Sequence, residues 1–406
     1  MQTVKVVGAG FSGLTTAYFL VKRGFKVRIL EKSCRAGGLI ETTQTEHGLV
    51  EKAANGILNS AKLEAIAADI GVPLQSTRRE GRKRFIYRGR PKQIPLKTSE
   101  VLKVTARVAM NATSLKPRPL ESISEWGQRV AGPAATDYLV TPALGGIYAG
   151  DPNRLSASLI FGKAALPDHL RTNRPAKGKL NGTVAPPRGM QQLTDGLREW
   201  LERSGAEFVF NQDVMAENNT NEPTVICLAA NAAAEYLSDI SPEISQCLRG
   251  IDMLSLVTVT SFYGGEAAKR NGFGCLFPCD QGFRARGVLF NNSIFEGRGP
   301  AYSETWIFGG ALDPNVISLS DEEFSELIAG ERKRFYGQND EPLVLYINRR
   351  PHAIPHYSIE LEKILTTLPA PPPNVALVGN YLGRIGLAKL IERAAAVAEQ
   401  ISTICG

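Results

Sequence analysis

Apolar and β-branched residues run almost unbroken from Thr3 to Val7, a pattern suited to a strand buried on both faces of a parallel sheet. Gly8-Ala9-Gly10-Phe11-Ser12-Gly13 follows at once. Leu14 to Arg23 then predicts a helix with Leu14, Ala17, Tyr18 and Val21 on one face. Gly24 ends that helix, and Lys26 to Leu30 predicts a second strand finishing on Glu31. Near the other end, Asn374 to Val378 predicts a strand, and Gly379-Asn380-Tyr381-Leu382-Gly383-Arg384-Ile385-Gly386-Leu387 leads into an alanine-rich helix running to about Ser402. A third set of the same type lies between them. Gly189 to Leu201 reads as a helix, and Glu207 to Ala216 and Thr224 to Ala229 read as strands.

The rest of the pattern is different. Leu96 to Ala112 and Leu120 to Ala143 are helix-rich. Alternation over Met253–Phe262, Gly287–Ile294, Ser303–Gly310 and Pro342–Arg349 predicts an antiparallel sheet. Ser320 to Phe335 is an amphipathic helix opened by a Ser320/Glu323 capping box. The stretch from Pro369 to Pro373 is a stiff linker back towards the first domain. No internal repeat interrupts this order.

The glycines carry the first chemistry. Gly8, Gly10 and Gly13 between a strand and a helix form a dinucleotide-binding fingerprint in the context it requires. The first allows a tight turn, the second lets backbone approach a pyrophosphate, and the third lets helix and strand pack closely. The pyrophosphate belongs at the helix N-terminus beside Ala9, Phe11 and Ser12, where unpaired N–H groups and the dipole favour an anion. Glu31, at the end of the second strand, is placed to accept hydrogen bonds from a ribose diol. The fingerprint alone admits NAD or FAD. After Glu31 come Lys32, Arg35 and the pair Gly37-Gly38, which extend the site along a longer cofactor, so FAD is expected. Gly386 then lets backbone approach the flavin, and the helix beginning at Leu387 turns its positive end towards the electron-rich side of the ring.

Composition narrows the class. The chain has 406 residues, 43% hydrophobic and 21% charged, which excludes wholesale disorder and suggests more than one domain. Apolar runs are broken well before 18 residues, so no membrane-spanning helix is expected. No cleavable leader precedes the first strand, so the expected location is cytoplasmic, with peripheral contact on the inner face of the membrane left open. The net charge is +7, and Arg78 to Lys92 concentrates eight basic residues with one acid. That patch suits a solvated hairpin, an anionic substrate or an anionic membrane surface. No nucleic-acid-binding motif accompanies it. The six cysteines read as reduced thiols. Cys275/Cys279 and His352/His356 are each four apart but bracketed by proline, so no metal site is expected.

Beyond the cofactor motifs, the whole chain resembles the oxygen-dependent protoporphyrinogen/coproporphyrinogen oxidases. Tyr138 to Ser156 (YLVTPALGGIYAGDPNRLS) is similar to that family's "YAGDP…LS" segment, Gly272 to Arg298 to its "GFG-L-P…GV-F-SS-F-GR" stretch, and Arg349 to Tyr357 to its "W-AIPQY" element. The resemblance implies a discontinuous Rossmann-like α/β FAD domain, a substrate domain on an antiparallel sheet, and a helical insertion that the family uses to sit on membranes. The expected boundaries are 1–77, 185–235 and 370–406 for the FAD domain, 78–97 and 236–369 for the substrate domain, and 98–184 for the insertion. Residue by residue it implies FAD contacts at Gly8 to Gly13, Glu31, Arg35, Gly38, Asn55, Val214 and Ile385-Gly386-Leu387, joined by Lys32, Gly37, Gly379 and Asn380 beside them. It also implies a tetrapyrrole site at Arg84 and Phe85, with Arg84 holding a propionate and Phe85 covering a macrocycle face.

The implied activity is oxidation of a porphyrinogen to a porphyrin. Three hydride transfers to the flavin remove six electrons, and O2 is the electron acceptor that yields hydrogen peroxide. No side chain stands out as a general base. The chain departs from the family at Glu51-Lys52-Ala53-Ala54-Asn55, where Glu-x-Gly-Pro-Asn is usual, and at Leu387-Ala388-Lys389, where Ile-Pro-Asp is usual. A related amine oxidase or isoprenoid desaturase, and a non-catalytic flavoprotein, remain alternatives. Which porphyrinogen is used, and whether the chain forms a homodimer, stay open.

Overall fold

A computed structural model describes residues 2–212, 222–383 and 385–405. Five short strands form a parallel sheet in the order Glu207–Val209, Lys26–Leu30, Thr3–Val7, Thr224–Ile226 and Val375–Leu377. The first strand lies at its centre, which explains its unbroken apolar sequence. Val4 and Val6 face one hydrophobic core and Val7 faces the other. The helices Phe11–Val21, Gln191–Arg203 and Leu387–Cys405 contribute to the first core, and Ala230–Tyr236 and Pro242–Arg249 to the second. The strand expected over Glu207–Ala216 is described only as Glu207–Val209, and Val214 lies outside the described residues.

A second sheet has seven strands, in the order Val344–Pro355, Met253–Tyr263, Tyr302–Gly309, Gly287–Phe290, Gly274–Leu276, Arg84–Tyr87 and Pro91–Lys92. It is mixed rather than purely antiparallel, because Arg84–Tyr87 pairs parallel to Gly274–Leu276. The strand expected to reach Ile294 stops at Phe290, and Asn291–Ile294 turns into a short helix. Asn291 instead sends its amide to Ser303 and Thr305 on the neighbouring strand, 3.2 and 3.0 Å away.

The two faces of this sheet differ. Val257, Val259, Val288, Phe290, Trp306 and Phe308 pack against Phe324, Ile328 and Phe335 of the helix Asp321–Tyr336. The capping box of that helix forms as expected, with Ser320 Oγ accepting from the Glu323 N–H at 3.1 Å and the Glu323 carboxylate accepting from the Ser320 N–H at 2.7 Å. On the other face one register row crosses the sheet through Asn348, Thr258, Ile307, Gly287, Leu276 and Ile86. All but the glycine are only half-buried. This face turns towards the parallel-sheet domain, since the Asn348 amide donates to the Lys52 carbonyl and Arg350 reaches Glu41 at 3.3 Å.

Between Lys92 and Thr183 the chain forms the helices Thr98–Met110, Ile123–Val130 and Thr141–Tyr148, with a π-helical turn at Thr136–Val140 leading into the last. Among the described residues no helix is long and apolar enough to cross a membrane.

Candidate functional site

The carboxyl ends of the parallel strands define the site. Gly8 follows Val7, Glu31 follows Leu30 and Gly379 follows Val378, so these three predicted cofactor contacts lie at the carboxyl ends of the strands, where open α/β folds bind ligands. Each fingerprint glycine has a separate reason. Gly8 has φ +99°, and a Cβ there would lie 2.8 Å from the Cys227 carbonyl oxygen. A Cβ on Gly13 would lie 1.8 Å from the Gly8 oxygen, so helix and strand could not approach. Gly10 is unlike both, because its Cβ would meet nothing nearer than the Gly38 Cα at 3.9 Å. Internal packing therefore does not demand glycine at position 10. Bare backbone in open space at the start of the helix Phe11–Val21, which has no side-chain cap, fits a pyrophosphate.

Gly10 pairs with Gly37 in an isolated bridge, and the Gly37 N–H donates to the Ala9 carbonyl at 2.8 Å. The two glycine loops are thus one surface. Glu31 is held by the Ala9 N–H at 2.8 Å and by the Ser33 N–H and hydroxyl at 2.9 and 2.8 Å. A carboxylate so fixed keeps lone pairs for a diol. Lys32 is exposed beside it. Arg35 turns inward and braces its own loop, donating to the carbonyls of Ala36, Gly38 and Ile40 at 3.1, 2.7 and 3.2 Å, and to Glu41 at 3.1 Å. Lys52 and Arg350 meet the same Glu41 carboxylate. Burial opposes ionisation of Glu41, yet these cations together hold it below the usual carboxylate range.

The turn at Lys52-Ala53-Ala54-Asn55 needs no glycine, since none of its residues has a positive φ. Asn55 is half-buried there, and its carbonyl accepts from Arg298 at 3.2 Å. At the last strand the Asn380 carbonyl accepts from the Tyr357 hydroxyl, and Gly379 packs on the Tyr381 ring. Ile385 and Leu387 are half-buried around Gly386, which has φ +106° and nothing within 4 Å of its would-be Cβ. Position 386 therefore repeats the arrangement of position 10: open backbone at the positive end of a helix, here Leu387–Cys405. Beneath the site the Cys227 thiol is buried, which pushes its pKa up to about 12 and makes it inert.

Arg84 and Phe85 are separated by the pleat. Adjacent strand residues point to opposite faces. Phe85 joins Tyr87 in the core under the helix Asp321–Tyr336, with the Arg270 guanidinium 5.6 Å from its ring centroid. Arg84 is exposed on the cofactor-facing side, and its guanidinium lies 4.3 Å from the centroid of the Phe273 ring. The aromatic partner of Arg84 is therefore Phe273, which sequence adjacency did not suggest. The only signal available was its place beside a glycine on the strand that neighbours Arg84.

Of the four residues considered as metal ligands, Cys275 is buried in the sheet, Cys279 and His352 are exposed, and His356 is buried. The ring of His356 faces Asp252 at 3.4 Å and the Asp151 N–H at 3.3 Å. Among the described residues no group of three or more His, Cys, Asp and Glu side chains could hold a metal ion.

The family model of flavin-containing amine oxidoreductases matches residues 11–395. A chloroplastic protoporphyrinogen oxidase of Nicotiana tabacum is 23% identical, covering 98% of this chain and 85% of its own length. A coproporphyrinogen III oxidase of Mycobacterium bovis is 23% identical over 94% of this chain and 93% of its own. The fold is similar to that of cyclohexylamine oxidase from Brevibacterium oxydans, with a TM-score of 0.72, 15% identity and 99% of each chain covered. An Exiguobacterium protein whose assignment as a protoporphyrinogen oxidase is provisional gives a TM-score of 0.76 at 17% identity, with 99% of each chain covered.

Proposed function

The chain belongs to the flavin-containing amine oxidoreductase family, whose cofactor is FAD, and on that premise we propose that it oxidises a porphyrinogen, protoporphyrinogen IX or coproporphyrinogen III, to the porphyrin with O2 as acceptor. The observation that carries this reading is the half-buried sheet face, where apolar Ile86, Leu276 and Ile307 adjoin the Arg84–Phe273 pair. A flat macrocycle with acidic arms suits such a surface. Full-length similarity to both kinds of porphyrinogen oxidase supports the same choice.

Bound FAD supplies the two-electron acceptor. The chain's own residues bind and orient. Backbone at Gly10 and Phe11 receives the pyrophosphate, Glu31 receives the ribose, and Gly37, Gly38 and Gly386 let backbone approach the rest. Arg84 pairs with a propionate, and guanidinium geometry allows two parallel hydrogen bonds. Ile86, Leu276 and Ile307 exclude water from the reacting carbon. No side chain is assigned a proton.

Peripheral membrane contact belongs to the same proposal. The helix Thr98–Met110 buries none of its residues, and Leu102 and Met110 are 68% and 79% exposed among Lys97, Lys103 and Arg107. Such a face suits an anionic bilayer surface.

The decisive experiment is anaerobic addition of each porphyrinogen to FAD-loaded protein. Bleaching of the oxidised-flavin absorbance by at least one is the expected result. Reduction by small primary amines but by neither porphyrinogen would overturn the reading.

A further inference from the structure

Three cations converge on one carboxylate where the two domains meet. The Glu41 carboxylate meets Arg35 at 3.1 Å, Arg350 at 3.3 Å and the Lys52 ammonium. The four side chains are 26–35% exposed, so none stands freely in solvent. Among the described residues these cations meet no other carboxylate. Three positive groups against one negative leave an excess of two positive charges in a half-buried place. Water and salt screen such an excess poorly there, so its field reaches whatever lies beside it. One cation suffices to neutralise Glu41, and the other two point to a further negative charge.

The cluster links the two stretches of open backbone that fit the cofactor. On one side Arg35 donates to the Gly38 carbonyl at 2.7 Å, and a Cβ on Gly38 would lie 3.0 Å from the Gly10 Cα. The cluster is thus continuous with the glycine cradle. On the other side Lys52 opens the turn that leads through Asn55 into the strand Ile57–Leu58. That strand packs against the helix Leu387–Cys405, which begins beside Gly386. The seven-stranded sheet closes on the same place. The Asn348 amide donates to the Lys52 carbonyl and to the Thr258 hydroxyl, the latter at 3.3 Å, and the Lys52 N–H donates to the Glu41 carbonyl at 2.9 Å. Arg350 lies two residues beyond Asn348 on the same face of the strand Val344–Pro355. Arg349 turns to the other face, where it meets Asp321 at 2.7 Å and its guanidinium lies 5.3 Å from the Phe324 ring centroid.

We propose that Arg350 and Lys52, opposed by Glu41, set the charge preference of the bound flavin, their excess positive charge favouring the negative charge that the ring carries once it has taken up electrons. Protein charge beside a flavin is one of the means by which a chain tunes its cofactor. The positive end of the helix Leu387–Cys405 acts in the same sense. Glu41 works against both cations, so the cluster is a balance rather than a simple clamp. The role extends the cofactor site onto the seven-stranded sheet, to which Arg350 belongs. It rests on the family's cofactor and holds whichever substrate is used.

The test is the midpoint potential of the FAD-loaded full-length protein, measured against redox dyes, beside titration with sulfite. Sulfite adds to the oxidised ring and leaves it negatively charged, so its Kd reads the same preference. Arg350→Met and Lys52→Met should each make the potential more negative and raise the sulfite Kd by about fivefold or more. Arg350→Lys keeps the charge and should recover most of the change. Glu41→Gln removes the opposing charge and should move both readouts the other way. Arg349→Met, on the far face of the strand, should change Kd by less than about twofold. If the ion pairs only hold the fold together, Arg350→Met and Glu41→Gln break the same contact and shift the potential in the same direction. Shifts of one sign, or a potential unchanged in both, would overturn the assignment and leave the porphyrinogen reading standing. A changed sulfite Kd with an unchanged potential would reduce the effect to attraction of an anionic probe and overturn it equally. Failure of the wild type to retain FAD would overturn this role and the porphyrinogen reading together.

Discussion

The Arg84 guanidinium lies over the Phe273 ring, 4.3 Å from its centroid, on the sheet face that looks towards the cofactor domain. Stacking on an aromatic face pre-orients a guanidinium while leaving its N–H edge free for a carboxylate. Arg84→Ala should therefore raise KM for porphyrinogen by roughly 10- to 150-fold, the equivalent of about 1.5–3 kcal/mol for a hydrogen bond to a charged group. Arg84→Lys should recover only part. Steady-state kinetics check this, and an unaltered KM would return Arg84 to a surface role.

Phe273 and Phe85 should separate cleanly. Phe273→Ala removes the platform under Arg84 and should raise KM with a smaller change in stability. Phe85→Ala removes a ring packed beside Tyr87 and should cost roughly 2–3 kcal/mol of stability with KM little changed. Urea denaturation beside kinetics distinguishes the two, and the reverse pattern would refute the assignment of faces.

The glycines should also divide by function. A side chain on Gly13 must enter the 1.8 Å gap to the Gly8 oxygen, so Gly13→Ala should cost about 3 kcal/mol or more and lower Tm whether or not flavin is bound. Gly10→Val meets open space in the chain itself and should leave the flavin-free fold nearly as stable while sharply reducing FAD content. Flavin absorbance per chain and thermal unfolding of flavin-stripped protein are the measurements. Equal destabilisation by both substitutions would count against the cradle.

The ion pair of Glu51 and Arg298 is 2.9 Å long with each side chain 2% exposed, and it joins the cofactor domain to the segment after the seven-stranded sheet's short helix. Glu51 also accepts from the Met190 N–H and the Thr42 hydroxyl, at 2.9 and 2.7 Å. Removing one partner strands a buried charge, so Glu51→Ala or Arg298→Ala should each cost about 3–5 kcal/mol. Combining Glu51→Gln with Arg298→Met removes both charges and should recover much of the loss. Denaturant midpoints of the three proteins provide the check.

Glu331 gives a pH dependence of defined sign. Burial raises its pKa to about 7, although the N–H groups of Arg284 and Ala285 and the nearby Arg334 and Arg284 charges oppose the shift. A carboxyl raised in the folded state contributes stability that is fully present below its unfolded value near 4.5. That contribution is lost as pH rises through about 7. Glu331→Gln keeps the acceptor that meets the Arg284 N–H at 2.8 Å, and it should be more stable than wild type by about 1–3 kcal/mol at pH 8. The advantage should vanish near pH 4.5. A constant difference across this range would rule out titration of Glu331.

What the sequence determined by itself was local. The strand Thr3–Val7, the glycines after it and the acid Glu31 fall within one short stretch, so spacing and hydrophobic period sufficed to read the cofactor domain and its cofactor. The capping box at Ser320 and Glu323 was legible for the same reason: its partners are three residues apart. Alternation over Met253–Phe262 revealed a strand with two faces, but not what each face meets. Only the tertiary structure decided that Phe273, rather than Phe85, accompanies Arg84, because the pleat sends neighbours apart and strand pairing brings distant residues together. It alone joined Arg298 to Glu51 across 247 residues. Contacts at such separations depend on how whole layers pack, and no period or motif along the chain encodes them.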